Sequence, residues 1–237
     1  MARALDILEG PVDEARFEEV LLRPLHALVE AQLRCSRERK QFRASRPRER
    51  AQKPPPVDSA PNLRANWDRL VCVQGELNDW PANHPNRPEP EIVEWRACRL
   101  ATGETFSATV RPRKPLGDYT AQNLEVQPDV LLDGLSWEAF VEGWRAFSRP
   151  DDVLAVWAHF HAAVAAKEGL PLPEARIDTR VAASRVLGRR PGTIERCSEA
   201  LGLVVDWDEP GRCARRSAHL TAVIGGLVEG TPERGQP

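Results

Sequence analysis

The 237-residue sequence has few of the features that mark a cross-linked or membrane-embedded protein. Its five cysteines are scattered singly and never form a CxxC pair, so neither a structural zinc site nor a disulfide framework is predicted. No apolar run approaches the roughly 18 residues that a membrane helix needs. Acidic side chains interrupt the first ten residues, where a secretory signal would have a continuous apolar segment. We therefore expect a cytoplasmic protein that does not contact a membrane.

The common catalytic motifs are absent as well. The sequence contains no GxxxxGK[ST], no GxGxxG and no HExxH, which argues against phosphate-loop, dinucleotide-binding and zinc-protease chemistry. Serine, histidine and aspartate do not recur in an order that suggests a hydrolase triad. The length suits one domain of ordinary size with an appendage, or at most two small domains.

The net charge of −2 conceals one strongly basic segment. Residues 34–53 contain nine basic and two acidic side chains, a net charge of +7, so the other 217 residues together carry −9. A basic segment on an acidic protein is typical of an arm that contacts nucleic-acid phosphates. The alternative is a solvated linker whose arginines pair with the acidic body of the protein. The candidate phosphate contacts in this segment are Arg37, Arg39, Lys40, Arg43 and Arg46.

The basic segment also separates two parts of the chain. Ahead of it, residues 12–33 place apolar side chains at spacings of three and four, which predicts a helix with one apolar face, kinked or split at Pro24. Behind it, the prolines between residues 54 and 61 favour an extended linker and argue against a helix. We predict a helical arm over 1–33, a basic, Pro-rich linker over 34–66, a main domain over 67–230 and a disordered tail over 231–237.

Strand and helix patterns alternate along the main domain. Residues 92–100 and 105–110 read as strands joined by a hairpin turn. Ser136 is placed to cap a helix that follows it. This order favours an α/β domain with a mixed sheet. The remaining predicted strands are 70–73, 153–157 and 175–177, and the predicted helices are 137–147, 162–168, 180–187, 193–201 and 213–228.

Seven segments of the main domain carry a resemblance to a known family. In order they are 70–76 (LVCVQGE), 91–97 (EIVEWRA), 103–112 (GETFSATVRP), 153–161 (VLAVWAHFH), 177–180 (IDTR), 192–203 (GTIERCSEALGL) and 211–218 (GRCARRSA). Their order and spacing resemble the DEDDh 3′–5′ exonucleases, the RNase T and DnaQ group, and among them the Eri-type and KapD-type branch. The resemblance covers residues 68–229. It implies a ribonuclease-H-like exonuclease fold, with a mixed five-stranded sheet flanked by helices and, here, an N-terminal helical arm.

The resemblance also implies a cleft in which two divalent cations clamp the reacting phosphodiester. Mg²⁺ and Mn²⁺ prefer carboxylate ligands, so the family uses four acids, with a histidine as general base. Carried over to this chain, the acids fall on Gln74, Glu76, His161 and Ser217, and the histidine falls on Arg212. Only Glu76 keeps its carboxylate and remains a candidate metal ligand. Losing three anionic ligands and gaining a permanent cation opposes metal binding, so we expect no cofactor, or Mg²⁺ or Mn²⁺ if the chain is active.

Three functions stay open at this point. The favoured one is a catalytically degenerate member that binds single-stranded RNA or DNA, stacking bases on aromatic rings and pairing phosphates with arginines. The second is a protein-interaction module in which the helix over 13–33 docks a partner or a second copy. The third is an active metal-dependent 3′–5′ exonuclease, which rests on the family resemblance and the surviving Glu76. Matching the motifs a few residues away would instead give an alternative cluster for one metal ion. The nucleic-acid candidates in the main domain are Trp80, Arg212, Arg215 and Arg216, the alternative metal cluster is Glu76, Asp79, His159 and His161, and Trp95 and Trp144 are expected in the core.

Overall fold

The computed structural model divides the chain into two compact units, Met1–Lys53 and Pro54–Pro237. It describes residues 58–81, 84, 88–207 and 209–230, together with Ala27, Val29 and Glu30, which are helical and exposed. The rest of the predicted arm, the basic segment and the tail over 231–237 lie outside the described residues. Within the described part of the chain, no helix combines the length and apolar character needed to span a bilayer.

A mixed five-stranded sheet forms the centre of the second unit, with the strand order β3-β2-β1-β4-β5. The first three strands pair antiparallel, and β4 and β5 run parallel to β1. This arrangement confirms the predicted α/β fold with a mixed sheet. The strands are β1 Leu70–Asn78, β2 Glu91–Arg99, β3 Thr105–Thr109, β4 Val153–Val156 and β5 Arg176–Asp178.

Helices cover both faces of the sheet. The predicted cap at Ser136 is present, because its hydroxyl accepts a hydrogen bond from the Ala139 N–H. A short 3-10 helix, Trp67–Arg69, precedes β1. In chain order the described α-helices of the second unit are α1 Ala60–Ala65, α2 Thr120–Leu124, α3 Pro128–Leu132, α4 Trp137–Phe147, α5 Phe160–Lys167, α6 Thr179–Leu187, α7 Ile194–Ala200 and α8 Arg212–Glu229.

Helix α1 corrects the sequence analysis, which predicts extended chain there. Pro61 lies in the first turn of α1, where its missing N–H would have no helical partner in any case. Ser59 caps the helix by accepting a hydrogen bond from the Asn62 N–H. Leu63 is fully buried in the same apolar cluster as Leu220 of α8. Packing against α8 therefore accounts for a helix where proline content alone argued against one.

Two apolar cores lie on opposite faces of the sheet. On one face, the indole rings of Trp95 and Trp144 meet edge to face at 5.7 Å, and both are fully buried, as the sequence analysis expects. Gly75 of β1 passes directly under this core, where a Cβ atom would lie 2.9 Å from the Trp95 ring and 3.2 Å from Cβ of His161. A glycine is therefore needed here for α5 to approach the sheet. Helices α6, α7 and α8 form the core on the other face.

Candidate functional site

A cleft with a volume of about 350 Å³ opens where β1 ends. It brings together three of the positions that the family resemblance singles out, Glu76, His161 and Arg212. Helices α2, α5 and α8 form its walls. The lining residues are Glu76, Leu77, Asp79, Thr120, Asn123, Leu124, Phe160, His161, Arg212 and Arg216.

The Glu76 carboxylate is the anionic centre of this cleft, and two arginines of α8 engage it. Glu76 is only 2% exposed. Arg212 Nη2 lies 3.3 Å from its Oε2, and Arg216 Nη1 donates to its Oε1 at 3.1 Å. Residues four apart on a helix share a face, which lets both guanidinium groups reach the same carboxylate. The Gln74 side chain also donates to Glu76 Oε1 at 3.3 Å, so Gln74 acts here as a neutral partner of the acid.

Both guanidinium groups have further contacts but keep donors to spare. Arg212 Nη1 donates to the Asn123 carbonyl at 3.2 Å, and Arg216 Nε lies 3.8 Å from Oε1 of Glu195 on α7. A guanidinium has five N–H donors in a planar fork. Both groups therefore have more donors than these contacts use, and both side chains line the cleft.

His161 is a neutral ring at the base of the cleft. Burial, assisted by the positive charges of Arg216 and Arg212, lowers its pKa to about 4. A group with so low a pKa is a weak proton acceptor, since general bases work best with a pKa near the operating pH. The low pKa of His161 therefore differs from the pKa near the operating pH that a histidine acting as general base would have.

Glu94 is a second buried acid beside Glu76, and the sequence analysis did not single it out. The two residues face each other across β1 and β2. Glu94 is 8% exposed, and its Oε2 has no hydrogen-bond partner among the described residues. Burial and, to a smaller extent, the neighbouring Glu76 charge raise the pKa of Glu94 to about 7. Its place between two apolar residues, Val93 and Trp95, was the signal in the sequence that pointed to this position.

Other predicted site residues lie away from the cleft. Ser217 lines a separate cavity of about 470 Å³ with Arg96 and Trp207, because one residue beyond Arg216 the helix has turned by about 100°. Arg215 forms a two-pronged ion pair with Glu125. The five basic candidates of the arm, Arg37, Arg39, Lys40, Arg43 and Arg46, lie outside the described residues.

The aromatic ring at the cleft is not the one that the sequence analysis chose. Trp80 is only 7% exposed, so its indole is not offered to a nucleobase in this conformation. Phe160, at the start of α5, lines the cleft and is 56% exposed. Its position in the His-Phe-His sequence, in the turn that follows the predicted strand over 153–157, was the available signal.

The donor set of the cleft does not fit a pair of divalent cations. Nowhere in the described part of the chain do three His, Cys, Asp or Glu side chains group closely enough to hold a metal ion. The alternative cluster of Glu76, Asp79, His159 and His161 is therefore not assembled. A dication at Glu76 would also have to displace two guanidinium groups and then remain beside their charges.

Solved structures with a similar fold include nucleases. The nuclease domain of 3′hExo, a DEDDh family member bound to rAMP, matches 69% of this chain and 94% of its own, with a TM-score of 0.55 and 16% identity. A structure described as 3′-end-specific recognition of a histone mRNA stem-loop by a 3′-exonuclease matches 86% of this chain and 74% of its own, with a TM-score of 0.54 and 14% identity. A full-length 3′-exonuclease matches 69% and 62%, with a TM-score of 0.51 and 16% identity.

These similarities confirm the expected DEDDh-exonuclease-like fold. At such identities they establish the scaffold, whereas the activity must be argued from the residues of the cleft. No protein-family model matches the chain, and no curated protein sequence matches it either.

Proposed function

We propose that this chain is a cytoplasmic, catalytically degenerate relative of the exonucleases that binds an end of single-stranded nucleic acid in its cleft without hydrolysing it. The observation that carries the proposal is the double contact of Arg212 and Arg216 with Glu76. Two fixed cations stand beside the one acid that matches the family pattern. These guanidinium groups are part of the protein and, unlike a metal ion, cannot bind a hydroxide for attack on a phosphodiester.

Hydrolysis of a phosphodiester in this fold depends on two metal ions and a base. The cleft has a single carboxylate at the matching positions, and that carboxylate is engaged by guanidinium groups. An arginine cannot accept a proton at neutral pH, and His161 is a weak base because its pKa is about 4. The chemistry of the residues thus supports binding and argues against cleavage.

Binding a nucleic-acid end requires hydrogen-bond donors for phosphate and a ring for a base. Arg212 and Arg216 have donors left for a phosphate, and guanidinium forks match its oxygens. Phe160 offers an exposed ring on which a base can stack. The similar structures, one bound to rAMP and one recognising an mRNA stem-loop, support nucleic acid as the ligand class.

The proposal is tested with 5′-labelled single-stranded RNA and DNA, by fluorescence anisotropy and on denaturing gels with Mg²⁺ or Mn²⁺. We expect intact substrate in every lane, and tighter binding of linear than of circular oligonucleotides. Arg212→Gln with Arg216→Gln should weaken binding of linear oligonucleotides about tenfold or more, since charge-assisted hydrogen bonds are lost. The matched control, Arg145→Gln with Arg149→Gln, removes two exposed arginines at the far end of α4 and should have little effect.

Two results would overturn the proposal. Stepwise 3′ shortening that disappears in Glu76→Gln would show an active nuclease. An absence of oligonucleotide binding at low salt would instead favour the interaction-module alternative. In that case the next measurement is concentration-dependent association of the full chain, with Leu21→Asp and Leu28→Asp in the arm.

A further inference from the structure

We infer that a second phosphate-binding surface lies on the turn between α6 and α7, and that it holds the backbone of the nucleic acid whose end occupies the cleft. Arg189, Arg190 and Arg196 surround a cavity of about 480 Å³ at this turn. The inference rests on the proposed function, because it assigns the path of the same ligand beyond the cleft. We call these three residues the α6–α7 arginine surface.

The three arginines are exposed and have no ion-pair partner among the described residues. Glu199 is the one acid among the residues that line the cavity. Many other arginines of the domain are instead neutralised by carboxylates, namely Arg96, Arg99, Arg113, Arg149, Arg212, Arg215 and Arg216. The α6–α7 arginine surface is therefore a local excess of positive charge.

The turn is shaped so that these side chains converge. Gly192 has a φ of +78°, a backbone conformation that favours glycine. A Cβ atom there would lie 3.6 Å from Cδ of Arg196, so the stem of Arg196 lies against the turn, and its side chain lines the same cavity as Arg189 and Arg190. The rigid Pro191 between them is buried and fixes the loop.

Helix α7 has neighbouring residues at the cleft and at this surface. Glu195, the residue before Arg196, lies 3.8 Å from Arg216 of the cleft. Successive helical residues point about 100° apart, and a helix with its side chains is about 10 Å across. A strand that leaves the cleft over α7 reaches the arginine surface after a span of roughly one helix diameter.

The charges that line the cleft balance one another, so tight binding of nucleic acid needs a second, positively charged surface. The charged groups that line the cleft are two arginines and two acids, Glu76 and Asp79, and His161 is neutral there. A cleft whose charges balance can position a nucleic-acid end, but its binding releases few counterions. Unpaired arginines that neutralise phosphates release more counterions. The lining of the arginine surface has no aromatic ring for base stacking, so its contacts would be with the backbone and independent of sequence.

The test compares the triple variant Arg189→Gln, Arg190→Gln, Arg196→Gln with the wild-type chain by fluorescence anisotropy at several salt concentrations. The ligands are single-stranded oligonucleotides of about 4 and about 16 nucleotides, one able to fill only the cleft and one able to reach α7. For the longer one, the slope of log K against log salt should become shallower by about 2, since each phosphate contact contributes about 0.7 for single strands. Binding of the shorter one should not change.

A matched control triple, Arg111→Gln, Arg145→Gln and Arg149→Gln, changes the net charge equally through exposed residues elsewhere and should keep the wild-type slope. An unchanged slope in the α6–α7 triple would overturn this inference while leaving the cleft proposal intact. A shallower slope in the α6–α7 triple variant, together with wild-type binding by the Arg212, Arg216 double variant, would support phosphate binding at the arginine surface. The same result would refute the proposal that the cleft binds the nucleic-acid end. Competition by poly-glutamate but not by oligonucleotide would reassign the surface to an acidic protein partner and overturn the inference.

Discussion

Replacing Glu94 with glutamine should expose a pH dependence of stability that two opposed groups conceal in the wild-type chain. Burial raises the pKa of Glu94 from its ordinary value of 4.5 to about 7, and it lowers that of His161 from 6.5 to about 4. The charges around Glu94 are those of Glu76, Arg96 and Arg212, whereas His161 faces Arg216 and Arg212. The two shifts are similar in size and opposite in direction.

The direction of each pH dependence of stability follows from whether the folded or the unfolded chain binds the proton. From pH 4.5 to 7 the unfolded chain ionises Glu94 while the folded chain keeps it protonated, so the Glu94 contribution to stability falls as pH rises. From pH 4 to 6.5 the unfolded chain protonates His161 while the folded chain keeps it neutral, so that contribution rises with pH. Each pKa shift changes the free energy of unfolding by about 3 kcal/mol in total, or about 1.4 kcal/mol per pH unit. Because the two contributions have opposite signs, they cancel in the pH range where both apply.

The assay is urea unfolding followed by far-UV circular dichroism at constant ionic strength, with the wild-type value subtracted at each pH. The free energy of unfolding of Glu94→Gln relative to wild type should rise by about 3 kcal/mol between pH 4.5 and 7. That of His161→Gln should fall by a similar amount between pH 4 and 6.5. Flat or like-signed differences for both variants would refute the reasoning.

Three further changes test the fold and the site. Arg99→Met leaves the buried Asp152 carboxylate, 2% exposed, without its cation and should cost about 3–5 kcal/mol in urea unfolding; a loss under about 1 kcal/mol would contradict the buried pair. Gly75→Ala forces a methyl group to within 2.9 Å of the Trp95 ring and should cost about 1–3 kcal/mol, whereas Gly225→Ala, in open space on α8, should raise the melting temperature. Millimolar Mg²⁺ or Mn²⁺ should leave the melting temperature unchanged, and a rise that Glu76→Gln abolishes would reveal a metal site that the geometry does not support.

The sheet could be predicted from sequence because most of its strands carry their own apolar pattern. Strand β1 is the informative exception, since the prediction ends at residue 73 and the strand continues to Asn78. The polar side chains of Gln74, Glu76 and Asn78 resemble loop composition, yet each is buried. Pairing with β2 places Glu76 opposite Glu94. The predicted strand is too short at its end in the cleft, because the polar residues of the site interrupt the apolar pattern that marks a buried strand.

The short helices escaped prediction for a different reason. Helices α2 and α3 have five residues each, fewer than a helix needs to be stable by itself. Their buried residues, Leu124 and Leu131, share a small apolar cluster with Val93 of β2. Tertiary packing thus determines these helices, and a local window of sequence carries little of that information.

The composition of the cleft depends on helix phase, which a position-by-position comparison along the sequence does not capture. Matching the family motif to the chain assigns its last acid to Ser217, but the side chain of α8 that reaches Glu76 together with Arg212 is that of Arg216, 140 residues away in sequence. Residues 212 and 216 share a helix face and residue 217 does not. Glu76 therefore has a role that its resemblance to a metal ligand does not predict, since it anchors the two arginines inside the cleft. An acid at this position is not by itself a sign of residual catalysis, because the same carboxylate is equally required to hold cations that belong to the protein.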